Sequence, residues 1–111
     1  KENYRNIPWF ISENGMGREH EEQYMDAKGM VQDDYRIEFI RQHLNELLRA
    51  VEDGANCEGY MLWAFTDCVS PMNAFKNRYG LVRIEVDETR KRSLKKSALW
   101  YRQLIETREL I

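Results

Sequence analysis

The chain has 111 residues, of which 42% are hydrophobic and 32% are charged, with 17 lysines and arginines against 19 aspartates and glutamates. This composition indicates a globular chain of one domain at most and excludes a disordered one. The formal net charge of −2 argues against nucleic acid or an anionic membrane as the main partner, because both require a basic surface.

The sequence predicts no segment that enters a membrane. Its longest apolar run is about half a dozen residues, whereas a spanning helix needs ~20. The first ten residues have neither an apolar core nor a small-residue cleavage site, so we do not expect a signal peptide. No CxxC motif occurs, and we expect Cys57 and Cys68 to be reduced thiols in a cytoplasmic protein.

The first predicted element is a buried strand over residues 7–12, an aromatic and β-branched run. Glu13, Asn14 and Gly15 end this strand, since Asn-Gly is typical of a turn. Residues 17–32 are polar and show no period, so the sequence predicts a long loop there, of the kind that is functional or disordered.

A helix follows, with Asp33 as its N-cap and Gly54 just beyond its C-terminus. Apolar residues at spacings of three and four predict one packed face, formed by Ile37, Ile40, Leu44, Leu47, Leu48 and Val51. Charged and amide side chains, including Arg36 and Glu38, are expected on the opposite, solvated face.

A second strand is predicted over residues 59–65, and its unbroken apolar run indicates that both faces are covered, as in a parallel sheet flanked by helices. Thr66 and Asp67 end it, and a loop spans residues 68–78. Residues 79–86 begin an additional hairpin, and the alternation from Val82 onward predicts one face in water.

A charged turn over residues 87–92 precedes the last helix, predicted over residues 95–109. The inner face of this helix is expected to hold Leu99, Trp100, Leu104 and Ile105. The basic residues around its start are interpreted as solvated surface; they are Lys91, Arg92, Lys95 and Lys96.

The order strand, helix, strand predicts a parallel βαβ unit. Functional groups of such units lie at the carboxyl ends of the strands. We therefore expect Glu13-Asn14 and Thr66-Asp67 to share one rim.

Glu13 has two interpretations on the residues alone. A carboxylate held by a rigid strand at the mouth of a cleft suits a nucleophile or a general base. The other interpretation is an acid that caps a turn. No ligand spacing for a metal occurs, and the acidic run at residues 19–22 is not interpreted as a metal site.

Two further groups are candidates for substrate binding. Trp63 is either a core residue or a platform that stacks on a sugar ring and donates its indole N–H. The loop after the second strand combines a hydroxyl, amides, cations and a phenol, a set that suits phosphate but also suits a solvated surface. Its candidate residues are Ser70, Asn73, Lys76 and Tyr79.

Four segments together resemble family 1 glycoside hydrolases. Residues 11–15 (ISENG) resemble the (I/V)-(S/T)-E-N-G motif, and residues 59–67 (GYMLWAFTD) are similar to the GY-x-x-WS-x-x-D strand. Residues 78–81 (RYGL) and 95–101 (KKSALWY) resemble the family's RYGL and KKSA-x-WY elements. The resemblance covers essentially the whole chain, in the family's order.

This resemblance implies an α/β fold in which residues 1–111 are a single C-terminal segment of a (β/α)8 TIM barrel, its last two βα units, with no complete domain boundary inside. It implies retaining hydrolysis of β-glycosides with Glu13 as nucleophile and Trp63 at the sugar. No cofactor and no metal are implied.

Ser70-Pro71 stands where β-glucosidases of the family have Glu-Trp. Together with Tyr79 this resembles the 6-phospho-β-glucosidase branch, since a hydroxyl donates to a phosphate that a glutamate would repel. Lys76 lies one position earlier than the lysine of the common Lys-Arg-Tyr arrangement. The resemblance thus implies a cytoplasmic enzyme for a small phosphorylated glycoside, with Ser70, Lys76 and Tyr79 at the phosphate.

The family's Asn-Glu-Pro acid/base motif does not occur in the chain. We therefore expect the 111-residue species alone to be inactive, and to self-associate because its strands have lost their barrel neighbours. Two alternatives remain: a β-glucosidase without phosphate preference, and a non-catalytic α/β module that acts by association.

Overall fold

The computed structural model describes residues 2–111 as an α/β structure. In chain order its elements are β1 (Trp9–Asn14), a short 3₁₀ helix (Glu21–Tyr24), α1 (Asp34–Glu52), β2 (Cys57–Leu62), β3 (Val82–Ile84), β4 (Arg92–Leu94) and α2 (Lys96–Thr107). Within these residues, neither helix combines the length and apolar character that crossing a bilayer requires. Both cysteines are free thiols, as the sequence predicts.

The predicted parallel βαβ unit is confirmed. β1 and β2 pair in parallel, from Trp9 opposite Cys57 to Asn14 opposite Leu62, and α1 connects them. β1 continues through Glu13 and Asn14, which the sequence placed after the strand, because Asn14 still pairs with β2. β2 lies earlier than predicted and ends at Leu62.

The prediction that both strands are buried is wrong for the described residues. No residue of β1 or β2 is buried, and Phe10 of β1 is 58% exposed. A pair of strands cannot cover its own faces, and α1 and α2 pack against each other. The strands thus have more apolar surface than the rest of this segment covers.

Helix α1 has the predicted ends, but its predicted apolar face is packed only in part, since Leu48 and Val51 are exposed. Ile37 and Ile40 are buried, and Gly54 has a φ of +88°, the left-handed conformation typical of a residue just beyond a helix. The prediction that Arg36 lies on the solvated face is wrong, since Arg36 is 1% exposed. Its guanidinium pairs with the buried carboxylates of Glu21 and Asp33, which precede the helix in the chain.

Asp33 occupies the predicted N-cap position of α1, but its side chain does not cap that helix. Its carboxylate accepts hydrogen bonds from the backbone N–H of Ser97 at 2.8 Å and from the Ser97 hydroxyl at 2.5 Å. Asp33 therefore holds the first turn of α2 and joins the starts of the two helices.

The hairpin after the second strand is confirmed, with β3 and β4 antiparallel. Three expectations about solvation are wrong. Arg83 on the supposed wet face is buried and bonds Glu85 at 2.9 Å, and Lys95 is 0% exposed. On α2, two of the four residues predicted to face inward, Leu99 and Ile105, are exposed.

Residues 17–32 form an ordered excursion instead of a featureless loop. The Asp26 carboxylate accepts the backbone N–H groups of Lys28 and Met30, at 2.9 and 3.0 Å, and so shapes a tight turn. Val31 after that turn is buried. Carboxylate-stabilised turns carry no hydrophobic period, which is why the sequence pattern did not reveal this order.

Candidate active site

The carboxyl ends of β1 and β2 border a cavity of about 470 Å³. The end of β1 and its turn supply Glu13, Asn14 and Gly15, and the segment after β2 supplies Trp63. The loop beyond lines the rest with Cys68, Val69, Ser70, Pro71 and Tyr79. The structure therefore brings together four of the five predicted site residues.

Glu13 is an exposed residue near the end of β1. Among the described residues that line the cavity, it is the only acid. Burial, together with the charge of Asp67, raises the pKa of the Cys68 thiol, which also lines the cavity, and keeps that thiol protonated. Glu13 is therefore the candidate nucleophile of the cavity.

Asn14 fixes the end of β1 by two contacts with the β2 side. Its backbone carbonyl accepts the Trp63 N–H at 2.8 Å, and its side-chain oxygen accepts the Tyr60 hydroxyl at 2.7 Å. Burial, with a smaller effect of Tyr101, raises the pKa of Tyr60 to about 12, so Tyr60 stays a donor at neutral pH.

Gly15 allows the turn after β1 to touch the segment after β2. A Cβ at this position would lie 1.6 Å from the backbone carbonyl oxygen of Trp63. Only glycine fits such a contact, since the obstacle is backbone and cannot rotate away. Trp63 is 47% exposed and lines the cavity beside Glu13, as a ring that stacks on a sugar would.

Ser70 lies in a tight turn of the loop. It exchanges two backbone hydrogen bonds with Ala74, at 2.9 and 2.8 Å, and its hydroxyl oxygen accepts the N–H of Met72 at 3.2 Å. An acceptor contact on the oxygen leaves the hydroxyl proton free to be donated. This arrangement suits an anionic oxygen in the cavity.

The end of the loop presents Tyr79 to the cavity and turns Arg78 away from it. The Arg78 guanidinium donates to the Asp67 carboxylate at 3.2 Å and to the Ile84 carbonyl at 2.8 Å. Lys76 is exposed and does not line the cavity. The predicted lysine contact therefore requires its long side chain to swing in from the surface.

Asp67, predicted at the rim, points inward and anchors both ends of the loop. Its carboxylate accepts the backbone N–H of Gly80 at 3.0 Å and the ammonium of Lys95 at 2.7 Å. Lys95 also pairs with Glu21 at 2.6 Å, and Glu21 pairs with Arg36 at 2.7 Å. We define a buried charge cluster with five members: Glu21, Asp33, Arg36, Asp67 and Lys95.

No hydrophobic pattern in the sequence predicts the buried charge cluster. Its members come from the 17–32 excursion, α1, the end of the β2 segment and the start of α2. Charged residues are almost never fully buried unless paired, and their partners here lie far apart in the chain. No hydrophobic period marks them, so their only sequence signal was the resemblance of residues 95–101.

Within residues 2–111, no group of three or more histidines, cysteines, aspartates or glutamates is arranged to hold a metal ion.

Comparison with known proteins places these features in a family. The family described as Glycosyl hydrolase family 1 matches residues 1–110. The 6-phospho-beta-glucosidase GmuD of Bacillus subtilis (strain 168) is 52% identical over 106 residues, which are 96% of this chain and 23% of that protein. A 6-phospho-beta-galactosidase of Staphylococcus aureus (strain N315) is 43% identical over 97% of this chain and 22% of its own length.

Solved structures show the same fold. The family 1 β-glucosidase from Thermotoga maritima gives a TM-score of 0.83 at 26% identity, covering 94% of this chain and 23% of that one. Its complex with cyclophellitol gives 0.88 at 27% identity over 100% of this chain and 24% of that one, and an aphid myrosinase gives 0.83 at 28% over 96% and 21%.

The chain spans less than a quarter of the length of the curated relatives it matches. The predicted fold class is confirmed: the segment superposes on part of a (β/α)8 barrel, and residues 2–111 contain no closed barrel.

Proposed function

Because the chain belongs to glycosyl hydrolase family 1, we propose that it is the C-terminal segment of a retaining β-glycosidase that hydrolyses 6-phospho-β-glucosides. The single observation that carries the proposal is the cavity that groups Glu13, Trp63, Ser70 and Tyr79. The names of two relatives that are 52% and 43% identical, a 6-phospho-beta-glucosidase and a 6-phospho-beta-galactosidase, support the phosphorylated substrate class.

In the proposed reaction the Glu13 carboxylate attacks the anomeric carbon, and the bond from that carbon to the leaving oxygen breaks. The leaving oxygen takes a proton from a second carboxyl group, which a part of the protein outside this chain supplies. The second carboxylate then takes a proton from a water molecule, whose oxygen attacks the anomeric carbon; the glycosyl ester bond breaks, and Glu13 is regenerated as a carboxylate. No cofactor takes part.

The proposed phosphate contacts are the hydroxyls of Ser70 and Tyr79, with Lys76 reaching in from the surface. Hydrogen bonds from donors to a charged oxygen are stronger than those to a neutral one, so a phosphate gains more from these donors than a hydroxyl does. A substrate of this charge does not diffuse through membranes, which supports a cytoplasmic location.

A β-glucosidase without phosphate preference is the second candidate, because the similar solved structures include β-glucosidases. Their identity of 26–28% is lower than that of the relatives named for phosphorylated sugars. A non-catalytic module is the third candidate, since the exposed apolar strands would suit association.

The test measures kcat and KM of the full-length protein on p-nitrophenyl 6-phospho-β-glucoside and on p-nitrophenyl β-glucoside. We expect a clear preference for the phosphorylated substrate, and Glu13→Gln should lower kcat/KM by roughly 10³-fold or more, because it removes the nucleophile. Glu58→Gln, at an exposed acid of β2 outside the cavity, is the matched control and should retain activity.

A slow fluorinated substrate should leave a glycosyl adduct on the peptide that carries Glu13, detected by mass spectrometry. An adduct on another residue would exclude Glu13 as nucleophile. Equal rates on the two substrates would favour the second candidate, and a full-length protein without activity would favour the third. In the same assay the 111-residue chain alone should show no turnover.

A further inference from the structure

Gly17, in the segment that follows β1, lies against the Tyr79 ring. A Cβ at position 17 would lie 2.7 Å from Cζ of Tyr79 and 2.8 Å from Cε1. Cζ carries the hydroxyl, so a side chain here would press on the phenol end of the ring. Real Cβ atoms do not approach carbon atoms this closely, and the ring would have to move.

The backbones on both sides of this contact are fixed. Arg18 and Arg78 exchange two backbone hydrogen bonds, at 3.1 and 2.9 Å, and so form an antiparallel bridge between the 17–32 excursion and the loop end. On the other side, the Tyr79 carbonyl accepts the N–H of Ala64 at 3.3 Å. The space at Gly17 therefore controls the side-chain torsion angles of Tyr79.

Conformational freedom does not explain a glycine at this position. The φ of Gly17 lies outside the left-handed region, in contrast to Gly29 and Gly54. An alanine at position 17 would suffer no backbone strain of that kind, so its cost would come from the contact with Tyr79 and, less closely, from Cβ of Asn77 at 3.1 Å. Among residues 2–111, no hydrogen bond engages the Tyr79 hydroxyl, and Tyr79 lines the cavity, so the hydroxyl is available to a substrate.

We infer that Gly17 is a positioning residue that sets the specificity for the phosphate group: its missing side chain makes room for the Tyr79 ring, whose hydroxyl then reaches the cavity. This inference rests on the proposed function, and it adds a determinant that makes no contact with the reacting atoms. A larger residue at position 17 would move the hydroxyl and weaken the phosphate contact, while the Glu13 chemistry would continue.

The test is a double-mutant cycle in the full-length protein with Gly17→Ala, Tyr79→Phe and the combined variant. Gly17→Ala should raise KM for p-nitrophenyl 6-phospho-β-glucoside about tenfold with kcat within about twofold, because one hydrogen bond to a charged group is lost. KM for p-nitrophenyl β-glucoside should not change. In the Tyr79→Phe background the same change should no longer raise KM.

Gly59→Ala is the matched control, because a Cβ at Gly59 would meet its nearest atoms at 3.7 and 3.8 Å, an ordinary contact. It should leave both substrates unaffected. The inference is overturned if Gly17→Ala lowers kcat for both substrates equally, or if it raises KM as much without the Tyr79 hydroxyl as with it.

Two further measurements separate this inference from the proposed function. A wild-type protein without preference for the phosphorylated substrate overturns the substrate class, and a crystal structure of Gly17→Ala then decides the contact: a Tyr79 hydroxyl displaced by about 1 Å or more supports it, and an unmoved hydroxyl overturns it. If Gly17→Ala alone unfolds, rescue of folding by Tyr79→Ala supports the contact, and failure of rescue overturns it.

Discussion

Tyr60 connects the two strand ends of the candidate site through its hydroxyl. The hydroxyl donates to Asn14, the neighbour of Glu13, and burial raises the pKa of Tyr60 to about 12. The unfolded value is about 10, so between these two values the unfolded chain releases a proton that the folded chain keeps. The contribution of Tyr60 to stability is therefore complete below pH about 10 and is lost as the pH rises through about 12.

We expect Tyr60→Phe to remove a tyrosinate transition near pH 12 from the ultraviolet titration of the folded chain. The free energy of unfolding of this variant, measured with urea, should also fall less steeply with rising pH in that range. Tyr4→Phe, at an exposed tyrosine, is the control and should leave the transition in place. An unchanged titration of Tyr60→Phe would contradict the burial argument.

At the scale of elements, the buried charge cluster joins α2 to the loop that lines the cavity. Lys95 at the start of α2 pairs with Glu21 and with Asp67, and all three side chains are fully buried. Removal of one partner leaves a buried charge without full compensation, which costs more than the pair itself gains.

Lys95→Met should lower the free energy of unfolding by about 3 kcal/mol, because Glu21 and Asp67 then each lose a buried ion pair. Urea denaturation followed by circular dichroism measures this loss. Lys91→Met, at an exposed lysine a few residues earlier, should change stability by less than about 0.5 kcal/mol. Similar losses in the two variants would show that burial of the ammonium is not what matters.

The elements themselves follow from local signals. The spacing of Ile37 and Ile40 and the position of Gly54 predict α1, because a helix records its packed face and its end within a few residues. Glu13 and Trp63 are placed by the strand ends that precede the cavity. The burial of Lys95 and Arg36 has no local signal, because it depends on partners that only the tertiary structure brings near.

For the whole molecule, we expect the exposed apolar surface to govern behaviour in solution. Phe65, 72% exposed, and Met61 and Ile105 belong to an apolar groove of about 570 Å³ between the β2 segment and α2. A continuous apolar surface of this kind is uncommon on monomers. In the two-stranded sheet, β1 and β2 each also leave one edge without a partner strand.

We expect the 111-residue chain to self-associate in solution. Light scattering coupled to size exclusion should give a mass above that of the 13.4 kDa monomer at micromolar concentration. The paired change Phe65→Ser and Ile105→Ser should shift the population toward monomer, whereas Glu106→Gln at the polar border of the groove should not. A monodisperse monomer of the unchanged chain would contradict this expectation.

Asp67 has one more consequence, for engineering. Its carboxylate accepts the backbone N–H of Gly80 and so closes residues 68–79 into a loop whose two stems meet at Asp67. The interior residues of such a loop can be substituted while both of its stems stay bonded to the rest of the structure. If the proposed glycosidase function holds, libraries that keep the stems and vary only the interior would explore new sugar preferences without changing β1 or β2.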